Sequence, residues 1–172
     1  MATAPRSSEF NCRMRSTSFV LFDEEEVGLI GSKRYAQKLA NEDLDVHSVC
    51  TIDQMGWDSK GDRLIAVELP DGNLLALYEE EVKDTGVSIP INETNIGSND
   101  HSLLRPYVEA IGLTEGYKSG DITPHYHKST DTYDTINFEY LRSNTVPAHH
   151  VWAGLVYDPQ RFNALDPFCF RH

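Results

Sequence analysis

Cysteine is scarce in this chain. The three present, Cys12, Cys50 and Cys169, are widely spaced and include no Cys-x-x-Cys pair. That argues against a thiolate zinc site. Cys50 falls in an apolar stretch and reads as core. Positive charge is also short: 15 Lys and Arg stand against 27 Asp and Glu, for a net charge of -12. Nucleic acid and anionic membrane need positive surface on a partner, so both are disfavoured. Cation binding is compatible with the same balance. No apolar run approaches the roughly 20 residues that span a bilayer. The first eight residues, Met1 to Ser8, hold no apolar h-region, so no signal peptide is expected in this chain. The compartment stays open, an extracellular or periplasmic parent included. Internal repeats and long low-complexity segments are lacking.

What is present is an apolar run that ends in acids. Phe19-Val20-Leu21-Phe22 leads into Asp23-Glu24-Glu25-Glu26, then Val27-Gly28-Leu29-Ile30, then Gly31-Ser32. Taken alone, a charge run is most often a solvated loop. Carboxylates crowded at a strand end repel one another, however, and call for a positive partner. A divalent metal suits them, since hard and borderline cations take carboxylate oxygen directly. Two further segments strengthen that reading. Thr51-Ile52-Asp53-Gln54-Met55-Gly56-Trp57 and Thr123-Pro124-His125-Tyr126-His127-Lys128 each place a potential ligand at or just past an expected strand.

Along the chain, residues 1–16 read as an irregular lead-in, 17–157 as one domain and 158–172 as an irregular tail. One domain is what 172 residues suit. Apolar periodicity predicts strands over 18–22, 46–52, 64–69, 87–91 and 110–114. It predicts helices from Ser32, as N-cap, to about Asn41, over 73–83 with Gly86 as a stop, and briefly over 100–105. Asn137 is expected to cap a last helix that Pro147 ends or kinks. Strands alternating with helices indicate an α/β three-layer sandwich with a mostly parallel mixed sheet. Ligands of such sheets gather beyond the carboxyl ends of the strands, where Glu25, Glu26 and Asp53 are expected.

Four blocks, Phe22 to Ser32, Ile52 to Trp57, Ser98 to Ser102 and Ile111 to Asn137, occur in an order that resembles the co-catalytic zinc aminopeptidases. That family includes bacterial leucyl aminopeptidases, glutamate carboxypeptidase and the inactive transferrin receptor. Gly112-Leu113-Thr114-Glu115-Gly116-Tyr117 is especially similar to bacterial members. The likeness runs from about Ser18 to Leu141. It implies a zinc-exopeptidase-like fold and hydrolysis of N-terminal peptide bonds, with two zinc ions in the full family site and peptides as substrates. Glu25 matches the general base that takes a proton from the attacking water. Glu26 and His127 match ligands of one ion, and Asp53 a ligand of the other. Asp100 and His101 match a Ser-Asp-His motif beside the site, although Asn99 replaces the Ser. Asp131 is expected to orient the His127 imidazole. His125 is the competing imidazole and reads as a rim residue.

The departures from the family carry their own expectation. No His-x-Asp motif occurs anywhere in the chain, and the bridging Asp that follows it in the family has no counterpart. The chain thus resembles a C-terminal portion, truncated before the acidic cluster. Two rival readings keep the fold: a non-catalytic binding or assembly domain, and glutaminyl cyclisation with a single zinc. The Ser18–Phe22 strand, lacking neighbours, is expected to expose apolar surface through which the chain self-associates.

Overall fold

The computed structural model describes residues 15–157, apart from 96 and 98. The expectations for residues 1–14 and 158–172, with Cys12 and Cys169, lie outside the described residues. Elements follow in the order α1 (Ile30–Glu42), β1 (Ser48–Ile52), β2 (Ile65–Glu68), α2 (Gly72–Asp84), β3 (Ile91–Thr94), α3 (His101–Leu104), β4 (Glu109–Glu115) and α4 (Phe138–Tyr157). The four strands form one mixed sheet in the order β1-β4-β2-β3. β1 runs parallel to β4 and β2 parallel to β3, while β2 and β4 are antiparallel.

The alternation along each strand sorts side chains onto two faces. Ile65, Val67, Ile111 and Leu113 face Leu74, Tyr78 and Val82 of α2 and Tyr140, Val151 and Leu155 of α4, with Cys50 beside them. On the other face, Ala36 and Leu39 of α1 pack with Leu104 and Val108, and Val49 leans against them. The molecule is therefore the three-layer α/β sandwich that the pattern indicates, with its mostly parallel sheet in the middle layer.

Gly112 is central to the second face. A Cβ there would meet the His101 ring, with Nδ1 only 2.7 Å away. The missing side chain lets the imidazole lie directly on the sheet. His101 Nε2 lies 3.0 Å from the Glu68 carbonyl. A carbonyl only accepts, so Nε2 carries the proton and donates. Nδ1 is then the acceptor, and Thr51 Oγ1 donates to it at 3.1 Å. One buried ring thus joins α3 to β1 and β2.

Four expectations shift. Residues 18–22 form no strand: among the described residues β1 pairs with β4 alone, and none pairs with 18–22. Phe19 and Leu21 are 94% and 99% exposed as a result. Helix α1 starts at Ile30, earlier than a Ser32 cap implies. Ser32 is buried in the first turn and donates to the Leu29 carbonyl. The strand expected over 87–91 begins at Ile91, where the proton-less nitrogen of Pro90 no longer interrupts the ladder; the Pro90 carbonyl accepts from Ile65. Pro147 does not end α4. Asn137 caps that helix, its Oδ1 accepting from the Tyr140 amide at 3.0 Å. Packing of Ala148, Val151 and Leu155 against the core carries the helix past the proline.

Replacing Gly112 tests the close contact. Gly112→Ala is expected to destabilise the fold by about 1–3 kcal/mol, the cost of overpacking a tight interior. Urea unfolding monitored by circular dichroism measures it. Gly120→Ala, at a glycine whose added Cβ meets nothing within 4 Å but whose φ is +77°, is the comparison for backbone strain alone.

Candidate metal centre

Parallel β1 and β4 end side by side, so the loops that leave them are neighbours. β1 delivers Asp53, whose amide still donates to the Leu113 carbonyl of β4. β4 leads through Glu115 into the loop carrying His127. The acidic segment before α1 arrives from a third direction. Its turn is tight: Glu24, Leu29 and Gly28 all have positive φ, and the Glu25 carbonyl accepts from both Gly28 and Leu29. Gly31 is required there, because a Cβ would press on the Asp23 backbone, its nitrogen 2.9 Å away. The turn projects Glu25 and Glu26 toward the strand ends.

These pieces line one cleft of about 370 Å³, bordered by Glu25, Glu26, Asp53, Glu68, Asn99 and Tyr126. Within it Glu26 Oε1 lies 2.7 Å from His127 Nε2. The Tyr126 ring stacks on the His127 ring with centroids 3.7 Å apart. His127 has φ of +56° and Gln54, next to Asp53, +55°. Non-glycine residues in the left-handed region cost about 1–3 kcal/mol each and cluster at functional sites.

Asp53 accepts from Asn99 Nδ2 at 3.2 Å, and Asn99 Oδ1 accepts from the Asp100 amide at 2.7 Å. Asn99, at the position where the family motif has Ser, thus bridges the two acids. The residue Asp53 is exposed, yet its carboxyl is pushed above the usual range, first by loss of surrounding water; the Gln54 amide draws it back and the Asp100 and Glu26 charges raise it. Glu25 is raised by the same causes, burial first and then the charges of Glu26, Asp53 and Asp100, with His127 opposing. Four carboxylates therefore share one field that a single imidazole offsets.

The expected residues divide as follows. Glu25, Glu26, Asp53 and His127 come together around the cleft, and Asp100 stands beside them. His101 is one layer below, buried in the contact between α3 and the sheet. Asp131 is exposed and bonded within its own turn, its amide donating to the Lys128 carbonyl and Thr135 Oγ1 reaching its carboxylate. No hydrogen bond joins it to His127 among the described residues. His125 bonds Thr130 Oγ1 and packs its ring edge-on against Trp57, as a rim residue does. The roles of Asn99, Gln54 and Glu115 are not legible in the sequence: they fall inside the blocks Ser98 to Ser102, Ile52 to Trp57 and Ile111 to Asn137, but nothing local reports their partners.

The donor set suits a borderline divalent cation in kind, with carboxylate oxygens and one imidazole nitrogen. Glu26 and His127 already touch. In number the set falls short of the three protein ligands of a catalytic zinc. Among the described residues no three His, Cys, Asp or Glu side chains group closely enough to hold an ion.

A profile of Peptidase family M28 matches residues 1–150, and the chain belongs to that family. Solved structures share the fold. The LapA aminopeptidase of Legionella pneumophila superposes with a TM-score of 0.71 at 21% identity, over 84% of this chain and 42% of that one. BSAP, a zinc aminopeptidase from Bacillus subtilis, gives 0.71 at 19%, over 81% of this chain and 35% of that one. A glutaminyl cyclase from an Acidobacteriales bacterium gives 0.55 at 20%, over 72% and 44%. The chain thus spans less than half the length of these three proteins.

His101 yields a pH test. Burial holds its imidazole down to about 4, against the pull of the Glu68 carbonyl. A base depressed in the folded state gives stability that is full above its unfolded value near 6.5 and lost as pH falls toward 4. Unfolding free energy is expected to drop over that window by up to about 3 kcal/mol. His101→Gln should be less stable at pH 7 but lose most of that slope. Denaturant titrations from pH 7.5 to 4 measure both.

Proposed function

We propose that this chain is an aminopeptidase-type metallopeptidase domain whose own residues supply part of a zinc site. The observation that carries the reading is the 2.7 Å contact of Glu26 with His127, beside Glu25 and Asp53 at the carboxyl ends of two parallel strands. Glu26 and His127 would hold one zinc ion, and Asp53 is the donor available to a second. Zinc, when bound, supplies Lewis acidity and lowers the pKa of water. Glu25 adjoins these donors without sharing their contact. Its carboxyl, raised above the usual range by burial and neighbouring charge, suits a group that accepts and returns a proton. Tyr126 fixes the His127 ring by stacking. The peptide substrate would enter the open side of the cleft past Tyr126 and Tyr117.

A second reading, a non-catalytic binding domain on this scaffold, is favoured by the absence of a third converging donor among the described residues. Glutaminyl cyclisation draws on the weaker of the three structural likenesses.

Zinc titration calorimetry with a leucine-anilide assay separates these readings. The chain alone is expected to bind zinc more weakly than about 1 μM, because two donors contribute far less than a full set. Glu26→Gln and His127→Ala should each weaken it further, by at least about tenfold. At saturating zinc, turnover should be slow and should fall about 100-fold or more in Glu25→Gln, with zinc affinity within about threefold of the parent. Turnover indifferent to Glu25→Gln, or none at all, supports the non-catalytic reading.

Exposed Phe19 and Leu21 and the edge of β1, unpaired among the described residues, also support self-association. Light scattering is expected to give a mass above that of one chain. Phe19→Glu with Leu21→Glu should shift it toward the monomer. A monodisperse monomer of the unaltered chain sinks this part.

A further inference from the structure

The cleft depends on the spacing of two loops that share no secondary structure. One, residues 53–63, carries Asp53. The other, residues 116–127, carries His127. Glu115, at the end of β4, is 1% exposed and reaches both. Its Oε2 accepts from the Gly56 amide at 3.2 Å and the Trp57 amide at 2.9 Å, and its Oε1 from the Thr123 amide at 3.1 Å. Its own amide donates to the Gln54 carbonyl at 2.7 Å. Asp121 repeats the arrangement further out. It accepts from the Ser59 amide at 3.0 Å, the Ser59 hydroxyl at 2.5 Å and the Lys60 amide at 3.2 Å, while Lys60 Nζ donates to the Ser119 carbonyl at 2.8 Å.

We infer that Glu115 and Asp121 are positioning residues: two buried carboxylates that lace the Asp53 loop to the His127 loop and so set the width of the cleft. The inference rests on the proposed reading only for what the cleft binds. The chemistry explains why these residues are acids. Every donor they meet is an N–H or O–H, and a carboxylate alone offers acceptors on both oxygens. Charge-assisted bonds of this kind are about twice as strong as neutral ones. A glutamine at 115 must turn its NH₂ toward one loop or the other, where it meets another donor. Gln54, beside Asp53, and Tyr126, beside His127, both line the cleft, and the approach of their side chains reports the spacing.

Burial pushes the Glu115 carboxyl up while the Thr123, Gly56 and Trp57 amides pull it down, and the Asp121 charge raises it. The Tyr140 hydroxyl, from α4, also faces this group of acids, with Asp58 and Tyr78 beside it. Asp121 is opposed by burial, but its bonds to Ser59 and Lys60 hold it below the usual range.

Nuclear magnetic resonance of the metal-free, isotope-labelled chain tests the lacing. The Gly56, Trp57 and Thr123 amide protons should titrate together with one midpoint above 4.5. In Glu115→Gln that shared titration should vanish and Thr123 amide exchange should rise at least about tenfold. The Overhauser contact between the Gln54 amide and the Tyr126 ring should fall at least about twofold. Exchange at Ile111 and Leu113 should be unchanged, as a purely local loosening requires. Asp121→Asn keeps the test available should Glu115→Gln not fold; the same Overhauser contact should weaken there. Zinc affinity should drop at least about tenfold in either variant and stay within about twofold in Glu109→Gln, at the far end of β4. An unchanged Gln54–Tyr126 contact, or amide protons that do not titrate together, overturns the positioning role. A weakened contact with unchanged zinc affinity keeps the lacing and instead counts against the metal-centre reading.

Discussion

Parallel strands that end side by side gather whatever their loops carry, and in this protein the loops carry acids. Glu25, Glu26, Asp53 and Asp100 lie in one field, and their repulsion must be held by structure rather than relieved by distance. Backbone does most of the holding. The Gly28–Gly31 turn, the β1–β4 ladder that runs on into Asp53, and the carboxylate grips of Glu115 and Asp121 all converge on the same end of the sheet. Among the described residues, His127 is the partner of opposite tendency that touches the acids, through Glu26. An arrangement that concentrates negative charge and places an imidazole against it is poor for stability by itself. It suits the cation that the proposed function places there.

The layers beneath the cleft were legible in the sequence because they obey simple periods. The apolar runs in 64–69 and 110–114 mark β2 and β4 nearly as they stand, and the stripe of Leu74, Tyr78 and Val82 marks α2. Asn137 was readable as a cap because its side chain is short and polar just before an apolar helix. The strand expected over 18–22 was not found, although Phe19 to Phe22 has the composition for it. A strand needs a neighbour to accept its hydrogen bonds, and composition does not report one. Pro147 does not end α4, because tertiary packing carries the helix past it.

The cleft was legible in part. Glu25, Glu26, Asp53 and His127 could be named because strand-end acids and a histidine loop recur in a recognisable order. His101 and Asp131 show where that reasoning thins. One histidine beside an acid reads as a site residue, whereas the structure uses the His101 ring to bind helix to sheet over Gly112. The roles of Glu115 and Asp121 were not legible, although both lie in the block Ile111 to Asn137, since a carboxylate that grips the amides of a loop distant in sequence leaves no local pattern. Acidity in this chain thus has two origins. Some carboxylates face the cleft, and others are internal acceptors that replace a sheet's hydrogen bonds between irregular loops.

Zinc K-edge X-ray absorption on the chain in excess zinc addresses the central claim most directly. Bound zinc is expected to show one imidazole nitrogen at about 2.0–2.1 Å and oxygen for the remaining ligands. The imidazole signal should disappear in His127→Ala and persist in His125→Ala. A zinc spectrum that keeps its imidazole in His127→Ala, or that shows only the hydrated ion in the unaltered chain, would contradict the account.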